Sequence, residues 1–171
     1  MHNLDFQGKV LATAIFISIS GALSSIIGQN SMTNTASMKD VMMVKGEFEV
    51  VLIPQTDADF EAGRATVDKK YLGGLEGIGK GQMLSVRTSV KGSAGYVAIE
   101  HFSGILNGRS GTFALQHSGM TYRGESKLAI TVVPDSGTKE LSGLSGEMNI
   151  INSEGKHYYE FNYTLSSISN D

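Results

Sequence analysis

The chain has no cysteine and no tryptophan, only 2 prolines, and no excess of positive charge. The missing cysteine excludes structural disulfides, thiolate metal sites and a cysteine nucleophile. It leaves the redox compartment open. With 14 Lys and Arg against 17 Asp and Glu, the formal net charge is −3, and the pI is near 5.8. Such a balance offers no basic face to nucleic acid. What is present fits a globular domain: 40% hydrophobic and 18% charged residues in 171, a length that normally makes one domain with an adequate core. Most of the 21 glycines fall after residue 43 among short alternating segments, where glycine marks turns and bends between strands.

Charge is also missing from Val10 to Met38, and Val10 to Ile27 is dominated by Val, Leu, Ile, Ala, Phe and Ser. Lys9 precedes this run, and Ala22-Leu23-Ser24 places small residues at the spacing a signal peptidase reads. The first expectation is a secretory signal cleaved near residue 24, which sends the product to the periplasm or beyond. Two alternatives stand beside it. Val10 to Gly28 approaches the length of a membrane anchor, and a start at Met32 or Met38 would make the protein cytoplasmic. Residues 1–43 are therefore read as a signal or anchor plus linker, and 44–171 as the folded domain.

From Val44 onward the chain reads as strands. Val44 to Ile53 alternates Val44, Gly46, Phe48 and Val50 against Lys45, Glu47 and Glu49, the period of two that marks a half-buried strand. Further strands are expected at Arg64 to Leu72, Ile78 to Ser89, Gly95 to Leu106, Arg109 to Ser118, Tyr122 to Val133, Gly146 to Asn152 and His157 to Leu165. Asn107-Gly108 is the preferred hairpin pair, Gly119 is read as the stop of the next strand, and Ser153-Glu154-Gly155 makes a third tight turn. Pro134-Asp135-Ser136-Gly137 opens a longer loop. The fold class is all-β: eight antiparallel strands in up-and-down order, closed into a barrel because closure removes exposed edges. A two-sheet sandwich is the alternative.

Several separated segments resemble an uncharacterised bacterial family, a domain of unknown function. They are Gly92 to Glu100, Gly108 to Gly119, Val132 to Thr138 with Leu141 to Leu144, and Gly155 to Phe161. The resemblance covers about residues 44 to 165. It implies an eight-stranded barrel like that of allene oxide cyclase, and it implies no activity, because fold does not fix chemistry.

Glu100 is the acid that draws attention. It lies mid-strand on the face of Tyr96, Ala98 and Phe102, where a carboxylate is costly to bury unpaired. Inside the lumen it is expected to have a pKa raised by desolvation and to serve as a general base or as an anchor for a ligand hydroxyl. Arg87, on the face of Met83, Ser85 and Ser89, is its expected partner. The plain alternative is a structural or surface ion pair. His117 shares a face with Phe113 and Leu115 and is expected near the rim, as a second catalytic candidate or an ordinary core histidine. Arg109, after the Asn107-Gly108 turn, has the guanidinium that clamps carboxylates, although an Arg at a hairpin is usually solvated. Tyr96, Tyr159 and Tyr163 are read as a lumen wall or as ordinary core.

Other chemistry is not indicated. His101 lies on the face opposite Glu100, His157 begins a strand, and no pair has metal-ligand spacing. Gly77-Ile78-Gly79-Lys80-Gly81 lacks the Ser or Thr and the helix of a phosphate loop, and Ser93 and Ser110 lack a nucleophile elbow. No cofactor is implied. Three functions follow in order: a binding protein for a small apolar or amphipathic molecule, a structural barrel with a filled lumen that forms a homo-oligomer, and an isomerase or cyclase by analogy of fold alone.

Overall fold

A computed structural model describes residues 40–56 and 62–166. The expectations about a signal, an anchor or a later start all fall on residues outside this range. Eight strands follow in chain order: β1 (Met42–Gln55), β2 (Gly63–Gly73), β3 (Leu75–Arg87), β4 (Ala94–Leu106), β5 (Arg109–Tyr122), β6 (Glu125–Val132), β7 (Leu144–Ser153) and β8 (Lys156–Leu165). A short 3-10 turn, Lys139–Leu141, lies between β6 and β7. Each strand pairs antiparallel with its neighbours, and β1 pairs with β8 from Met42↔Tyr163 to Phe48↔His157, which closes the barrel. That last ladder excludes the sandwich.

The alternation read from the sequence sets the inward face. Ala65, Val67, Lys69 and Tyr71 on β2 are buried, as are Ala98, Glu100, Phe102 and Leu106 on β4. The Asn107-Gly108 and Glu154-Gly155 turns adopt positive φ at both residues, as type I′ hairpins require. One boundary differs from the sequence reading. Gly119 does not end β5, which runs on to Tyr122 and turns at Arg123-Gly124. Gly119 is an inward strand position where a Cβ would strike the Tyr96 ring, so the glycine makes room for a side chain instead of making a turn.

The two halves of the lumen are packed differently. At the end reached by the Asn107-Gly108 hairpin, aromatic rings fill the interior. Phe102 and Phe113 have centroids 4.9 Å apart, Phe113 and Phe161 5.8 Å, and Phe161 and Tyr163 5.4 Å. The segment after β6 folds over this end. Leu141 is fully buried there, and the segment is tied to β5 by Thr138 N–H to the Thr112 carbonyl at 2.9 Å and by Ala114 N–H to Ser136 Oγ at 3.0 Å. These contacts serve the part of β5 that lies beyond its ladder with β6, which stops at Leu115↔Val132. Among the described residues, fifteen buried hydrophobic residues form one core that runs from this end as far as Tyr71 and Phe48.

Candidate functional site

The other half of the lumen holds a cavity of about 280 Å³. Phe48, Val50, Val67, Met83, Ala98 and Ile150 contribute apolar wall, Tyr96, Leu128, Asn152 and His157 add to the lining, and Lys69, Glu100 and His117 supply its charged and titratable groups. Among the described residues, β6 and β7 share one ladder pair, Thr131↔Glu147. Leu128, Ile150 and Asn152 therefore line the cavity from two strands whose pairing with each other is confined to that position.

Glu100 is the centre of the polar group. Its Oε1 accepts a hydrogen bond from the Tyr71 hydroxyl at 2.7 Å, and its Oε2 accepts one from Lys69 Nζ at 2.7 Å. Lys69 Nζ also reaches the Tyr71 oxygen at 3.2 Å and lies 4.9 Å above the centre of the Phe48 ring. His117 Nε2 stands 3.0 Å from Glu100 Oε2. That N–H is not aligned with the carboxylate, and Nε2 is buried with no hydrogen-bond partner. The contact is thus one of proximity. Glu100, Lys69 and His117 are 1%, 8% and 5% exposed, deep enough for their interactions to be little screened.

The titration of Glu100 runs against the sequence expectation. Burial pushes its carboxyl upward, but His117, Lys69 and Tyr71 together outweigh that push and lower it from 4.5 to about 2. Glu100 is ionised at neutral pH, and an acid this strong is a poor general base. The Tyr71 hydroxyl is displaced well above its ordinary value, first by burial and then by the negative charge of Glu100. Room for the carboxylate comes from β3, where Gly79 faces inward and a Cβ would overlap Glu100 Oε1. The glycine-rich stretch that is no phosphate loop therefore has a steric reason to be glycine.

The model of the family described as "Protein of unknown function (DUF3224)" matches residues 44–163. The chain belongs to the DUF3224 family. A solved DUF3224 protein of unknown function from Shewanella oneidensis MR-1 is 43% identical, with a TM-score of 0.71, over 75% of this chain and 100% of that one. No curated protein matches the chain.

Within this DUF3224 barrel the residues singled out from the sequence separate. Glu100, His117 and Tyr96 all line the cavity. Arg87 does not join them. The β3–β4 register sets Gly81 opposite Glu100 and Arg87 opposite Ala94, at the exposed end of the hairpin. Lys69 of β2 takes the place expected for Arg87. His117 is not at the rim but beside Glu100, two ladder positions away on the same inward face through its pairing with Ala98. Arg109 is exposed at the opposite, filled end, paired with Leu106. Tyr159 and Tyr163 are buried in the aromatic core and do not line the cavity. The Tyr159 hydroxyl accepts from Leu75 N–H at 2.6 Å and donates to the Leu72 carbonyl at 3.2 Å, bracing the β2–β3 connection. Lys69 and Tyr71 were missed, although a signal existed: Lys69 stands in phase with Ala65, Val67 and Tyr71, where a lysine needs a partner.

Proposed function

We propose that this DUF3224 barrel binds a small amphipathic molecule, with its apolar part against the cavity wall and its polar head at the Lys69–Glu100–His117 group. The observation that carries the reading is the unequal lumen. A small barrel normally fills its interior with side chains, and here one half is filled with rings while the other keeps about 280 Å³ above a buried polar cluster. That volume lies at the lower edge of the ligand-pocket range of about 300–1,000 Å³, which limits the occupant to a small molecule. A binding role is favoured over catalysis because the buried carboxylate of Glu100 is held ionised by His117, Lys69 and Tyr71, with little basicity left to offer.

The test is native mass spectrometry of the full chain purified from its own host, followed by solvent extraction. The expected result is a small adduct that is released on denaturation and is missing from Val50→Trp, in which an indole occupies the cavity. An adduct equally present in Val50→Trp would place binding elsewhere. A bare chain that also fails to gain melting temperature from a panel of small amphiphiles would overturn the proposal.

A further inference from the structure

The polar group at the cavity floor restricts what kind of head it can receive, and this restriction rests on the binding function proposed above. Glu100 and Lys69 carry opposite charges and are joined at 2.7 Å, so the group is neutral as a pair. The carboxylate receives Tyr71 on one oxygen and Lys69 on the other. The ammonium is engaged by Glu100, by the Tyr71 oxygen and by the Phe48 ring. Among the described residues, the buried side-chain polar atom without a hydrogen-bond partner is His117 Nε2. Its neighbour decides which way it is used. A bare nitrogen lone pair held 3.0 Å from an ionised carboxylate oxygen would be repelled, so the proton belongs on Nε2, and the unused capacity is that of a donor.

Each class of head group can then be weighed. A carboxylate would have to settle beside Glu100, with the Lys69 ammonium already paired; two carboxylates in one site repel strongly. An ammonium would add a second positive charge beside Lys69 and would leave Nε2–H without an acceptor. A head with no polar atom would leave Nε2–H unsatisfied, at the cost that attends any buried orphan donor. A neutral oxygen that accepts from Nε2–H fits, and a carbonyl supplies it without bringing a further donor to be satisfied in a buried site. We infer that the DUF3224 cavity is selective for small neutral carbonyl compounds, such as a medium-chain ketone or aldehyde, whose oxygen accepts a hydrogen bond from His117 Nε2 while the chain lies along Val50, Val67 and Ile150.

Four probes with the same tail length decide it: octanone, octanoate, octylamine and octane, titrated calorimetrically into the full chain at neutral pH. Octanone is expected to bind about tenfold tighter than each of the other three, the factor that one buried hydrogen bond contributes. His117→Phe should remove that advantage. Because this variant disturbs the core, a second measurement uses the wild-type protein: the infrared carbonyl stretch of bound octanone should lie below its position in alkane. An unshifted stretch, or octanoate or octylamine binding as tightly as octanone, overturns the carbonyl selectivity while the cavity remains a binding site. Failure of all four probes to bind removes the binding function itself, and the selectivity with it.

Discussion

Glu100 shows how a costly residue is made tolerable. An ionised carboxylate in a protein interior is unfavourable by several kcal/mol unless paired, and here Lys69, Tyr71 and His117 all face it. The shift from 4.5 to about 2 fixes the sign of a pH effect. The unfolded chain takes up this proton near its ordinary value and the native chain only near 2. The stabilisation is therefore complete above pH 4.5 and is lost as the pH falls through that window. The shift corresponds to about 3 kcal/mol, and removing one partner of a buried pair typically costs about 3–5 kcal/mol. Glu100→Gln should accordingly lose about 3 kcal/mol at pH 7 and show a flatter stability profile than wild type between pH 4.5 and 2, measured by urea unfolding across that range. Arg87→Met should change stability by less than about 0.5 kcal/mol, as expected of an exposed position. A large loss in Arg87→Met would mean that the β3–β4 register is wrong. The alternation along β4 put Glu100 in phase with Ala98 and Phe102 but left a surface ion pair as the alternative, which the burial of that face removes. Its partner was not legible in the same way, because Arg87 and Lys69 both lie in phase with a buried face and only the ladder offsets separate them.

Strand β3 is the element that makes this arrangement possible. Gly77, Gly79 and Gly81 occupy three successive inward positions, leaving one side of the lumen as bare backbone into which Glu100, Tyr71 and Phe102 lean. At Gly79 an added Cβ would overlap the Glu100 carboxylate and come within 3.1 Å of the Tyr71 ring. Neither can retreat without giving up the other. Gly79→Ala is therefore expected to cost about 1–3 kcal/mol, the range for overpacking, and to reduce the acid-dependent stability that Glu100 supplies. The outward Lys80→Ala, one residue along, serves as the control and should do neither; both are read by denaturant titration at pH 7 and pH 3. Period-two patterning was sufficient to find all eight strands, since each has one buried face. What it left out was the phase of the glycines. A glycine in a strand can signal a turn, a bend or a neighbour that needs space, and the space beside Gly79 and Gly119 exists only once Glu100 and Tyr96 are placed across from them.

At the scale of the whole barrel, the two halves of the lumen make opposite demands on their side chains. The filled end is a stack of rings covered by Leu141, and cutting Phe113 to Ala there should cost about 3–5 kcal/mol through lost contacts and a residual void. The cavity end should respond in reverse. Ala98 lines it beside Met83 and His117, and Ala98→Val adds apolar volume to open space. Filling a natural cavity commonly stabilises a protein by about 0.5–2 kcal/mol, so a barrel selected for stability alone had an easy gain available at this position. If the space is kept for an occupant, Ala98→Val should be more stable than wild type in urea yet bind small amphiphiles more weakly in calorimetry. The pairing of the two readouts is what separates a binding barrel from a structural one. Stability that rises with binding intact would mean the ligand lies elsewhere. A loss of more than about 1 kcal/mol, the mark of an already packed site, would mean that the upper lumen has no room for a ligand.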